Sequence, residues 1–371
     1  MKRLLLAFLI GLFWTFGQVA ADTMQEFPAD TLKKLSLDLS CGGLIDISAA
    51  RENKVRVEVI FKKTDEKDWE IIYTPQGDEL RIECRAKVKD HQSPAFRIQV
   101  PQKFNLELKT MGGDITITGV SGTMTGRTQG GSLVFNKLKG ALQMKTMGGD
   151  IDLRDSEVDG EVTTMGGRIS IENVIGDIKG HSMGGNVVYR NVRKREGDSS
   201  GKVVRITTMG GAIHVDQAEA GAEVETMGGD ITIQSAREYV KAKTMGGDIV
   251  IKSVDGYVKA TTMGGAIEAR ISGDSQGKKD ATLSSMSGAI TLTVPEALAM
   301  EIDIQLTYTK GNQGEYQIRS DFPLQIEEDK EWSQEHGTPR KTIHGRGKTG
   351  DGRNKITITT VNGDIYLKKS K

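Results

Sequence analysis

The sequence predicts an all-β protein, a β-solenoid of about ten rungs with β caps at both ends. Three observations carry that prediction. A Gly-Gly pair or a close variant starts at Gly112, Gly130, Gly148, Gly166 and Gly184, each 18 residues after the last. After one interval of 26 the series resumes at Gly210, Gly228, Gly246 and Gly264, and a degenerate copy, Met286-Ser287-Gly288, follows. An aliphatic column runs in step with the pairs, and glycine, although 45 of 371 residues, is periodic where low-complexity sequence would scatter it.

Two places after each pair comes Ile115, Leu133, Ile151, Ile169, Val187, Ile213, Ile231, Ile249, Ile267 or Ile290. Two further on comes a second apolar residue, such as Ile117, Phe135, Leu153 or Ile171, with polar residues between. Period-two alternation of β-branched residues predicts a half-buried strand. A second short strand closes each repeat, with inward pairs such as Val120 and Met124, Leu138 and Leu142, and Val158 and Val162. Bulky and minimal inward residues compensate there: Met124 precedes Gly126, and Ile178 precedes Gly180. Rungs stacked about 4.8 Å apart make a rod on the order of 50 Å long.

The repeated Thr-Met-Gly-Gly-Asp-Ile segment supplies the candidate structural sites: Gly112 and Gly113, Gly148 and Gly149, Gly166 and Gly167, Gly228 and Gly229, Gly246 and Gly247. The second glycine is invariant among the copies, whereas the first becomes Ser287 or Asn362, so a left-handed or otherwise tight corner is expected. Phosphate binding by these glycines would need a following helix, and a strand follows every time. The methionines of the same motif, among them Met111, Met147, Met227 and Met245, are expected to point inward as adaptable core filling. A soft-metal ladder or an oxidant sink are the sharper alternatives.

Outside the repeats, Lys2 and Arg3, the apolar run Leu4 to Phe16 and Val19-Ala20-Ala21 read as a cleaved signal peptide over residues 1–21. Residues 22–109 form an N-terminal β region that copies the rung motif once, at Cys41 to Ile47, and so caps the rod. Residues 110–294 hold the repeats. Residues 295–371 close the other end, with strands near Leu306 and Ile318, a polar stretch of about thirty residues, and a last rung at Val361 to Tyr366. The mature chain has two cysteines, Cys41 and Cys84; a disulfide between them is weighed against two separate thiols.

The N-terminal β region, Val100-Pro101 ahead of Leu106 to Thr110, the repeats, and Val361-Asn362-Gly363-Asp364-Ile365 together resemble the bacterial putative-adhesin family, over roughly residues 30–371. The resemblance implies a β-solenoid of exported or envelope proteins, with no catalytic residues to carry over. The Met-Gly-Gly form and the long regular array depart from that family's usual repeat.

Other chemistries fit the residues poorly. Lys+Arg 50 against Asp+Glu 50 removes the usual electrostatic argument for nucleic acid. The column after Gly-Gly includes Arg168, Ala212 and Ala266, which a calcium ladder cannot hold. The five histidines lack metal-ligand spacing, and only His336 and His344, with Glu331 and Glu335, form a cluster worth testing for zinc. The outward column from Thr116 to Thr291 gathers no carboxylates for glycoside cleavage. The expectation is a non-catalytic, exported envelope module for interaction, adhesion or scaffolding, with no cofactor, an unidentified protein or glycan partner, and self-association left open. A carbohydrate-active β-helix enzyme and a methionine metal or redox buffer are the alternatives.

Overall fold

The computed structural model describes residues 23–61, 65–88, 92–193, 204–274, 277–313, 315–333 and 337–370. The expected signal segment, residues 194–203 within the one interval of 26, and His91, Glu335 and His336 lie outside them. Each rung contributes one strand to each of two parallel-stranded faces, and the apolar column expected from sequence is the register itself. Ile115 pairs with Leu133, then Ile151, Ile169 and Val187 follow in line. The line continues through Ile213, Ile231, Ile249, Ile267 and Ile290 to Ile365 in the last rung. All of these side chains are buried. A one-residue slip would turn the whole column to solvent, so the pattern locks the register.

The second-strand face stacks Asn105–Thr110, Ser121–Arg127, Lys139–Lys145 and their successors in the same way. Its inward positions compensate across rungs. A Cβ on Gly126 would lie 2.6 Å from the Leu108 carbonyl oxygen and 3.0 Å from the Met144 methyl. Gly180 leaves room for the Tyr189 ring, whose buried hydroxyl donates to the Ile178 carbonyl at 3.0 Å.

Both ends are finished by antiparallel strands. At the N-terminus Ile45–Ala50 stacks on Ile115–Thr118, and Ala95–Pro101, Lys54–Ile60 and Thr23–Pro28 extend that face outward. The other face is extended by Lys34–Leu39, Glu79–Ala86 and Trp69–Gln76. At the C-terminus Asn354–Val361 follows Ala281–Ser285, and Met300–Thr309 lies beside it. The polar stretch contains two strands, Gln325–Glu328 and Arg340–Thr349, paired antiparallel. Arg340–Thr349 alternates charged with small residues and has a solvated side, so its strand signal is weak in sequence.

Of the two geometries expected at the corner, the array uses close approach and leaves left-handed backbone to the terminal copies. None of the Gly-Gly pairs from Gly112 to Gly265 has positive φ; only the terminal copies do, at Gly42, Gly43, Gly288 and Asn362. The second glycine is required because rungs nearly touch: a Cβ on Gly149 would stand 2.1 Å from the Gly131 carbonyl oxygen, and one on Gly229 equally close to that of Gly211. Gly113, Gly167 and Gly247 face the same obstruction from the rung before. The first glycines Gly112, Gly148, Gly166, Gly228 and Gly246 meet nothing nearer than 3.6 Å, which is why serine can replace one. Within the array, left-handed backbone occurs at the opposite corner, at Lys137, Asp155, Asn173 and Asn191. There Asn191 donates to Asn173 at 2.8 Å and Asn173 to Asp155 at 3.0 Å, a side-chain ladder on residues that tolerate this conformation.

Candidate functional site

The Thr-Met-Gly-Gly-Asp edge is a line of backbone clips with one free position. Each buried threonine hydroxyl donates to the second-glycine carbonyl of the preceding rung, as Thr146 does to Gly131 at 2.7 Å and Thr226 to Gly211 at 2.9 Å. The same oxygen accepts the second-glycine N–H of its own rung, from Gly149 at 3.2 Å and Gly229 at 3.3 Å. The aspartates clip the other side: Asp230 accepts Asp248 N–H at 2.9 Å, and Asp150 accepts Arg168 N–H at 2.7 Å. Sequence reasoning missed both roles; the constancy of Thr or Ser before each methionine was the available signal.

The methionines between these clips point outward, against expectation. Met111, Met147, Met165, Met183, Met209, Met227, Met245, Met263 and Met286 are 42–56% exposed. Period-two alternation puts the threonine inward at the end of the second strand, so its neighbour must face solvent. The methionines that fill the core are instead Met124, Met144 and Met300.

The second-strand face carries charge that the neutral composition conceals. Between rungs 107 and 261 its two outward columns hold Lys109, Arg127, Lys145, Lys179, Arg205, Lys241, Lys243 and Lys259 against Glu107, Glu161, Glu223 and Glu225. The first-strand face is balanced, with Glu172 paired to both Arg154 and Arg190. A shallow groove of about 580 Å³ on the cationic face is lined by Lys179, His181, Arg205, Glu223, Lys241 and Lys259, among others. Glu223 lies 2.9 Å from Lys241 and 3.3 Å from Arg205, and the Lys241 hydrogen bond holds its carboxyl below the usual range. At one margin Tyr239 and Tyr257 stack at 5.0 Å with rings 5° from parallel. Burial, then the neighbouring Glu223 carboxylate, pushes the Tyr239 hydroxyl up to about 12.

Cys41 and Cys84 are brought together as free thiols, with sulfurs 3.1 Å apart. A disulfide bond would be about 2.05 Å. The contact with Cys84 holds the Cys41 thiol below its ordinary value, and the same contact, with burial, pushes Cys84 up. His344 lies 3.3 Å from Asp329, and among the described residues no three His, Cys, Asp or Glu side chains converge as metal ligands. No helix among the described residues is long and apolar enough to cross a membrane.

The Toastrack DUF4097 family profile matches residues 161–368, more than half of the chain. The chain belongs to the Toastrack DUF4097 family. No curated protein matches it. Among solved structures, this Toastrack chain is similar to a putative cell adhesion protein from Clostridium sporogenes ATCC 15579, at 11% identity and TM-score 0.18, over 94% of this chain and 99% of that one. A putative adhesin from Bacteroides fragilis NCTC 9343 matches at 10% identity and TM-score 0.28, over 94% and 98%. A putative adhesin from Parabacteroides merdae ATCC 43184 matches at 11% identity and TM-score 0.25, over 94% and 96%. The Toastrack solenoid assignment rests on the family match and on the strand register.

Proposed function

We propose that this Toastrack chain is a non-catalytic, exported module that works by surface contact at the cell envelope, as an adhesion or scaffold element. The observation that carries the reading is the charge asymmetry between its two faces. One face holds eight cations against four carboxylates in its two outward columns, several of them paired with those carboxylates, and the other cancels its charges within the column. A periodic, shallow, cationic surface suits an extended anionic partner better than a compact substrate, because each rung adds a weak contact and the contacts sum. Lys179 and Lys259 flank the Glu223-centred pairs and extend the positive strip at either side.

The test is binding of the labelled mature chain to intact cells and to isolated envelope fractions at low and high salt. Retention that weakens with salt and is lost in Lys179→Glu/Lys259→Glu is the expected result. Equal retention by that double variant would overturn the proposal.

A further inference from the structure

The exposed methionine row has no part in surface contact by charge. Along the segment Met209, Met227, Met245 and Met263 each side chain is 42–46% exposed. The backbone beneath them is fixed: Met227 N–H donates to the Met209 carbonyl at 3.1 Å, and Met245 N–H to the Met227 carbonyl at 3.1 Å. Gly228 and Gly246 N–H groups donate to the same two carbonyls at 3.0 Å. The row is therefore a set of thioethers held at rung spacing on a rigid base, each on a side chain with three rotatable bonds. The exposed first glycines beside them crowd nothing, since a Cβ at Gly228 or Gly246 would meet no atom within 3.5 Å.

We propose that this row binds soft monovalent cations, Cu(I) or Ag(I), between the thioether sulfurs of adjacent rungs. Thioethers select such ions over Zn²⁺, Ca²⁺ or Mg²⁺. Rungs repeat at about 4.8 Å, so flexible thioethers on adjacent rungs can reach one bridging ion. The charge around the segment agrees: Asp230 and Asp248 stand three residues past Met227 and Met245 on the exposed edge, and Lys243 is held by Glu225 at 2.8 Å. Apolar cover alone does not explain the row, because valine serves at the same position in the last rung, at Val361. Oxidation alone does not explain it either, since a thioether needs no register to accept an oxygen atom.

The experiment uses the full mature chain in a Cys41→Ser/Cys84→Ala background, so that thiols do not compete. Ag(I) is titrated with native mass spectrometry, and Cu(I) is delivered anaerobically from a coloured chelator. The expected result is multiple bound ions, and fewer of them in Met209→Leu/Met227→Leu/Met245→Leu/Met263→Leu, where Met147, Met165 and Met183 remain, with the strand dichroism intact. Leucine keeps the apolar volume and removes only sulfur. If that variant does not fold, the corresponding Met→Gln variant replaces it, since the row itself carries Gln129. An unchanged number of bound ions after removal of these four sulfurs, or no binding in the cysteine-free background, would overturn the proposal.

Discussion

Thr244 donates its hydroxyl to the carbonyl of Gly229, one rung earlier, at 3.0 Å, and accepts the Gly247 N–H of its own rung at 3.3 Å. One buried oxygen thus satisfies two backbone groups that neither face can reach. Thr244→Val keeps the shape and leaves both unpaired, at about 1–3 kcal/mol for such a loss. The urea midpoint should fall accordingly with an unchanged slope. The exposed neighbour Met245→Leu should stay within about 0.5 kcal/mol.

The two glycines of one pair should respond oppositely. Gly149→Ala forces a Cβ to 2.1 Å from the Gly131 oxygen, so the rungs must separate there. A loss of about 3 kcal/mol or more is expected. Gly148→Ala has 3.6 Å of clearance and should be neutral or stabilising by up to about 1 kcal/mol, through the unfolded chain. Equal losses in both variants would show that close approach is not the reason for the invariant second glycine.

Graded peroxide should sort the methionines by position. Met147, Met227 and Met245 are exposed and should each take an oxygen from peroxide, releasing water, while the strand signal persists. Met124, Met144 and Met300 are fully buried and should react only after urea is added. Peptide mass spectrometry reads both sets, and protection of the outer row would return those residues to the core.

A mild two-electron oxidant should join Cys41 to Cys84, taking one hydrogen from each thiol. The half-buried Cys41, with its lowered pKa, should alkylate first in the reduced protein. Closing the loop between the two positions is worth about 4 kcal/mol in the chain-entropy account. Non-reducing peptide mapping would show the link, and thermal melting its effect; two separately alkylated cysteines after oxidant treatment would count against it.

Alkali should unfold the rod through its tyrosines. Burial is the first cause that pushes Tyr73, Tyr239 and Tyr308 up to about 12, and it pushes the fully buried Tyr189 up as well. A raised folded pKa contributes stability that is whole below the unfolded value near 10 and disappears as pH climbs through the folded value. Urea midpoints should therefore decline between about pH 10 and 12. Tyr189→Phe should make that decline shallower, and an identical slope would exclude Tyr189 from it.

Much of this was legible in the residues. The columns Ile115 to Ile290 and Ile117 to Leu292 are the observed register, because burial on one side of a strand leaves a mark with period two. Met111 to Met286 misled because thioethers are usual core fillers, and only the inward Thr beside each one fixes their direction. Gly-Gly misled differently: glycine absence of Cβ serves two ends, positive φ and close approach, and composition does not separate them. The cationic face was invisible because opposite charges cancel in a sum over 371 residues and reappear only when register groups them.

The threonine and aspartate clips repeat with the rung, and they make the length of the rod a countable quantity. A gain or loss of 18 residues shifts the chain by one full turn, about 4.8 Å along the axis, and every column closes on its own kind. A change of half that number would seat a first strand where a second belongs, setting a cationic column against a neutral one. Within such a lineage the molecule works as a graduated ruler, whose reach can be rewritten in whole steps while its surface chemistry stays the same.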